Sequence, residues 1–161
     1  MLVIDSCVLI HLSRIGKLDL LRKADECCTT DNVYRETVIE GQRGKAKIAE
    51  AFDRWLVKKN VDTDTASQIA KKEGIEVADA TLILLAEQSN GILLTNDKAL
   101  INLARSRNIE YLWLTSLLFK LCKERKISKK EALKILYELV QSGLSIEARI
   151  YALLERKLKE G

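Results

Sequence analysis

The sequence predicts an α/β protein: a three-layer α/β/α arrangement around a central parallel sheet of four to five strands, followed by a helical C-terminal tail. Three observations carry this. Short apolar runs alternate with helix-patterned segments along most of the 161 residues, the pattern of a parallel sheet with crossover helices. There is no Pro and only seven Gly, too few turn residues for an all-β fold. Helix-forming Lys, Glu, Leu, Ile and Ala dominate the rest.

The elements follow in order. Residues 1–5 form an apolar run that reads as a buried parallel strand. Residues 8–13 and 17–23 have helical spacing, broken at Gly16. A second strand is expected over 26–30, after which Thr29, Thr30 and Asp31 offer caps for a helix over 32–40 that Gly41 stops. Residues 45–55 are amphipathic, with Ile48, Phe52 and Trp55 on one face, and 56–61 read as a short strand. A surface helix over 64–72 ends at Gly74. "VADATLILLAEQSNG" is apolar nearly all round, as a buried helix is, and "ILLT" is a strand. Asn96-Asp97 opens a helix through Arg107, and 109–114 form a further strand. Beyond Thr115 the pattern is helical, with a capping box from Ser128 to Glu131 and Ser145 as cap of a last helix. No linker or repeat divides the chain, so one domain is expected over 1–161, its core about 1–125 and its extension about 126–161.

Composition narrows the function classes. Hydrophobic residues make up 47% and charged ones 31%, which suits a globular protein, and no window approaches the ~20 apolar residues of a membrane span. The start lacks a basic leader, and Asp5 interrupts its apolar run, so a cytoplasmic protein is expected. A net charge of +4 leans towards an anionic partner without selecting one. Cys7, Cys27, Cys28 and Cys122 have neither zinc-finger nor disulfide-framework spacing and read as reduced thiols.

The carboxylates are placed unusually. Asp5 ends the first strand and Asp97 follows "ILLT", so both fall on the carboxyl edge of a parallel sheet, where ligands bind. Asp79 lies in the first turn of the buried helix, an expensive place for a charge without a partner. Glu36 lies in the helix after strand two, with Glu40 one turn on as its competitor. Two carboxylates ~5 Å apart repel by about 3 kcal/mol at an effective dielectric near 20. Four together need raised pKa values or a cation, and all-oxygen donors select hard ions, Mg²⁺ or Mn²⁺. Waters retained on such an ion can be activated for phosphodiester cleavage. Each acid alone is more simply a cap or turn residue, Asp97 above all; the conjunction of four carries the reading.

These residues also carry a resemblance. "VIDSCVLIHL", "TTDNVYRE", "VADATLILLA" and "GILLTNDKAL", in that order and over residues 1 to about 105, resemble the PIN-domain nucleases, a group that includes the VapC-like ribonuclease toxins of toxin–antitoxin pairs and archaeal relatives. The helical tail also resembles one branch of that family. The resemblance implies that Asp5, Glu36, Asp79 and Asp97 are catalytic and hold the metal, with Ser6, Thr95 and Asn96 in support. It implies RNA as substrate, 5′-phosphate and 3′-hydroxyl products, a homodimer, and an antitoxin protein as partner if the chain is a toxin. Cys7 departs from the family's usual small polar residue, weakening any hydrogen bond to the acids there.

Arg43, Lys45 and Lys47 in "GQRGKAK", and Lys98 beside Asp97, are candidate RNA contacts, though solvated surface lysines are as simple a reading. His11, the only histidine, reads as a core or helix-surface residue rather than a base. The expectation is a metal-dependent endoribonuclease in which a water attacks the scissile phosphate in line. Two rivals stand beside it. One is a non-catalytic RNA- or protein-binding module. The other is an aspartate-based phosphotransfer enzyme, which needs a second Asp where this chain has Cys7.

Overall fold

The structure, a computed structural model, describes residues 1–41 and 44–160. Five strands, β1 (Leu2–Ile4), β2 (Cys27–Thr30), β3 (Leu56–Lys59), β4 (Ile92–Thr95) and β5 (Tyr111–Trp113), form one sheet in the order β3-β2-β1-β4-β5. Every pairing is parallel; Val3 of β1, for example, lies between Cys28 of β2 and Leu93 of β4. The central strands are apolar because both their faces are covered: Leu2, Val3, Ile4, Leu93 and Leu94 are all buried.

The helices are α1 (Ser6–Arg14), α2 (Leu20–Ala24), α3 (Asp31–Tyr34), α4 (Lys45–Arg54), α5 (Thr63–Glu73), α6 (Val77–Ser89), α7 (Lys98–Ser106), α8 (Leu114–Lys123), α9 (Lys129–Gln141) and α10 (Ala148–Glu160). α1 packs on α4 and β4, and α8 against α2 and β5; α6 lies across β1, β2 and β4 with α5 against it. Right-handed crossovers put the β1-to-β3 helices on one face and α5 and α6 on the other, giving three layers. The apolar circumference of α6 is accounted for: Ala80 to Ala86 is buried without interruption, between the sheet and α5.

The strand order reverses between β1 and β4. Connections leave β1 towards β2 and β3, then cross back to β4 and β5, so the rim beyond Ile4 and Thr95 is a topological switch point where loops diverge and leave a crevice.

Three local expectations differ in detail. The helix expected over 32–40 is α3 followed by a π-helical turn, Arg35–Ile39, in which the Glu40 amide reaches the Arg35 carbonyl. Gly41 ends it as expected, since a Cβ there would drive into the Thr37 carbonyl. Helix α5 is capped by Asp62, whose carboxylate takes the Thr65 amide. Ser145 does not cap the last helix: α10 begins three residues later, and the Ser145 carbonyl instead takes the Asn96 side-chain amide at 3.5 Å. The Ser128 cap of α9 is present, accepting from the Glu131 amide at 3.0 Å.

Candidate active site

Asp5 answers for the carboxylate placed inside an apolar run. It follows β1 directly and is only 4% exposed. Its position is the N-cap of α1, yet its side chain makes no cap hydrogen bond. The carboxylate is held from β4 instead. The Thr95 hydroxyl donates to Oδ2 at 2.5 Å and accepts the Asp97 backbone N–H at 3.1 Å. The Cys7 thiol lies 3.3 Å from the same oxygen, and the Ser6 hydroxyl 3.4 Å from Oδ1. All three donors are neutral, and among the described residues no Lys or Arg pairs with Asp5. The Cys7 contact is thus made, although a thiol is a weak donor. Burial first, and the Asp5 charge second, push the Cys7 pKa up to about 12, so its proton stays available to the carboxylate.

Asp79 stands in the first turn of α6, half-buried. Its pKa is raised to about 6, first by burial and then by the charges of Asp5, Asp97, Glu76 and Glu36. That set of neighbours locates the cluster. The charges of Asp5, Asp97 and Glu36 all act on Asp79, and so does that of Glu76, the N-cap residue of α6. Glu36 is shifted up too: desolvation leads, the Ser6 hydroxyl opposes, and Asp5, Glu76 and Glu40 add to the rise. Ser6 therefore stands between Asp5 and Glu36. Glu40 acts on Glu36, while Glu36 but not Glu40 is among the charges raising Asp79.

Asp97 has a double position. Its Oδ1 caps α7, accepting from Ala99 and Leu100 at 2.9 and 3.4 Å, so the simple capping reading holds for it. Its charge nevertheless reaches Asp79. The Asn96 backbone faces the Cys7 thiol, while its side chain turns to the Ser145 carbonyl.

A relay of buried hydroxyls fixes the helices that carry Glu36 and Asp79. The Val33 amide donates to Thr30 Oγ1, which lies 2.9 Å from Thr81 Oγ1, and Thr81 donates to the Ala78 carbonyl. A hydroxyl has one proton, so Thr30 must donate to Thr81. This couples α3 to α6 one turn beneath the acids. Neither Glu76 nor the relay was expected from the sequence. The signal for Glu76 was its place three residues before Asp79, on the same helical face; the relay joins residues 51 apart and leaves no local pattern.

The basic candidates do not all lie at the rim. Lys98, the first residue of α7, directly follows Asp97, and Lys45 opens α4; both are exposed. Lys47 lies beside Gly16 at the far end of α1, lining a cavity of about 250 Å³ with Arg22, Glu50 and Arg54, and so is remote from the acids. Arg43 lies outside the described residues.

Chemically, the rim offers five carboxylates and hydroxyls, and among the described residues no Lys or Arg is ion-paired with any of the five acids. That donor set fits a hard divalent ion, which would relieve the repulsion that raises Asp79 and Glu36. The side chains are not drawn tight around a single point: among the described residues no three His, Cys, Asp or Glu stand close enough together to hold an ion as they are.

Fold and rim together define an α/β protein with an acidic crevice at the switch point of a parallel sheet. The family model DUF3368, a PIN domain, matches residues 1–160, and the chain belongs to this PIN-domain family. PIN domains are generally nucleases and typically use divalent metals. The fold is also similar to the crystal structure of PAE2754 from Pyrobaculum aerophilum, with a TM-score of 0.50, 17% identity, and coverage of 76% of this chain and 96% of that one. No curated protein matches the chain. No described helix is long and apolar enough to cross a membrane.

Proposed function

We propose that the chain is a divalent-metal-dependent endoribonuclease whose catalytic centre is the rim formed by Asp5, Glu36, Asp79 and Asp97. The observation that carries this is Asp79: a carboxyl in the first turn of a buried helix, raised to about 6 by burial and four acidic neighbours, with no basic partner among the described residues. A protein gains nothing in stability from such an arrangement, so its use lies in what it binds.

The residues divide the work. Asp5, Glu36, Asp79 and Asp97 would hold Mg²⁺ or Mn²⁺. When bound, the ion supplies an activated water and offsets charge gathering on the phosphate. Thr95 and Cys7 keep the Asp5 carboxylate in one orientation, Ser6 spans Asp5 and Glu36, and the Thr30–Thr81 relay keeps the helices of Glu36 and Asp79 in register. Asp97 and Glu36 are exposed and can turn inwards, Asp97 at the expense of part of its α7 cap. Lys98, the first residue of α7, would meet a phosphate arriving at the rim.

The test is cleavage of RNA with the ends of the products identified. Activity abolished by EDTA, restored by Mn²⁺ and lost in Asp5→Asn and Asp79→Asn supports the reading; activity that survives either substitution contradicts it. The rival is a non-catalytic binding module, favoured by the looseness of the acid side chains as they stand; RNA binding without cleavage in Mn²⁺ would establish it. The phosphotransfer rival has Cys7, a protonated thiol, where it needs a second acid.

The same reading extends to a homodimer, a toxin role with an antitoxin partner, and a cytoplasmic location. Tyr137, Ile150 and Leu153 on α9 and α10 are large apolar side chains left exposed, and sedimentation of Tyr137→Glu against the unaltered chain tests whether they mediate self-association.

A further inference from the structure

The chain's positive charge is concentrated in one place. Residues 120–134 hold seven basic and two acidic side chains, a net +5 that exceeds the +4 of the whole chain and leaves the remainder at −1. The structure folds this stretch into the α8–α9 turn, where it lines a groove of about 1000 Å³ closed on one side by the end of α10. Lys120, Lys123, Arg125, Lys126, Lys129 and Lys157 face it against a single acid, Glu131. Of these cations only Lys126 forms an ion pair among the described residues, a long one of 3.9 Å to Glu124.

The backbone of the turn adds to the case. The Lys126 amide reaches the Leu121 carbonyl and the Arg125 amide that of Cys122, a Schellman closure that places Arg125 at φ +59. Glycine is the residue such a position favours, and any other costs about 1–2 kcal/mol. A cationic residue on a left-handed backbone position beside this groove is an expense that stability does not explain. The first amides of α9, beyond the Ser128 cap, bring the positive end of a 13-residue helix to the same place.

The groove is not part of the acidic rim. Helix α8 begins at the carboxyl end of β5 and runs away from the rim for ten residues, about 15 Å. Lys120 then acts on Asp25, which pairs with the N-terminal amine at the opposite edge of the sheet.

We propose that this groove binds the phosphate backbone of single-stranded RNA, holding substrate at a distance from the acidic rim. The proposal rests on the nuclease reading for its choice of polyanion. Regularly spaced phosphates suit a cluster of cations of which only Lys126 is ion-paired among the described residues, and the half-buried Phe119 ring lines the same groove, where a base can lie against it.

The experiment uses the full chain carrying Asp5→Asn, to prevent turnover, and a fluorescent oligouridine of about 20 nucleotides, longer than a single-strand site usually spans. Binding is followed by anisotropy across about 50 to 200 mM salt. The groove variant is Lys123→Gln with Arg125→Gln and Lys129→Gln; the control, with equal charge loss elsewhere, is Arg54→Gln with Lys71→Gln and Lys72→Gln. The groove variant should bind at least about tenfold more weakly, with a salt slope shallower by about 2, and the control should bind as the parent does. Equal weakening in both, no weakening in the groove variant, or polyglutamate binding the groove as tightly as oligouridine overturns the proposal. So does absence of oligouridine binding. Groove-dependent binding by a chain that cleaves no RNA removes the nuclease reading and leaves the groove standing; RNA cleavage that ignores the groove variant does the reverse.

Discussion

Thr95 ties Asp5 to the strand that leads to Asp97: its hydroxyl gives its proton to the Asp5 carboxylate at 2.5 Å and takes the Asp97 amide at 3.1 Å. One fully buried residue thus links two acids 92 positions apart that follow neighbouring strands. Thr95→Val keeps the volume and removes both bonds. It should cost about 1–3 kcal/mol of stability, by leaving a buried carboxylate and an amide short of partners, and weaken divalent-ion affinity by about 10- to 100-fold. Thr95→Ser should restore both. Denaturant midpoints and Mn²⁺ titrations of the two variants check this; equal behaviour of Val and Ser would remove the hydroxyl from the account.

Asp79→Asn should stabilise the metal-free protein at neutral pH. The folded pKa of Asp79, about 6, lies above the value near 4 of an unfolded chain. Its contribution to stability is therefore fully present below about pH 4 and is lost as pH rises through about 6. Glu36 is shifted in the same direction. In EDTA, the stability difference between variant and parent should grow in the variant's favour from pH 4 to pH 7 and level off above. A difference that stays flat or reverses over that interval contradicts the shift.

The buried hydroxyl relay should show coupling. Thr81→Val leaves Thr30 without its acceptor and should cost about 1–3 kcal/mol. Thr30→Val should cost more, since it also removes the α3 cap on the Val33 amide, worth about 1 kcal/mol. The double variant should cost less than the sum, because neither hydroxyl is then stranded. Strict additivity in a double-mutant cycle would mean that the two hydroxyls act separately.

Much of the fold was readable along the chain, for a specific reason. β1, β2 and β4 are buried on both faces, so they appear as unbroken apolar or small-residue runs, and α6 as an apolar helix. Asp5 and Asp79 stood out because a carboxylate inside such runs demands an explanation. Glu76 escaped notice because it sits in polar sequence, where an acid is unremarkable; only folding α6 against the rim brings it beside Asp79. Lys47 looked close to Glu36 in sequence, but α4 carries it to the far end of α1. The π turn over Arg35–Ile39 has no signature in side-chain spacing, because it changes the backbone period itself. The basic groove was hidden for another reason: the cations of 120–129 read as solvated helix ends, and only the fold brings Lys157 of α10 against them to close a groove.

The central claim is that carboxylates from β1, α6 and the loop after β4 share one divalent ion. Isothermal titration of the metal-free chain with Mn²⁺, beside Asp5→Asn and Asp79→Asn, measures this without reference to any substrate. The account predicts saturable binding in the parent and its loss in both variants, with a matching rise in melting temperature only where the ion binds. Absence of binding in the parent, or undiminished binding in Asp5→Asn, would contradict it.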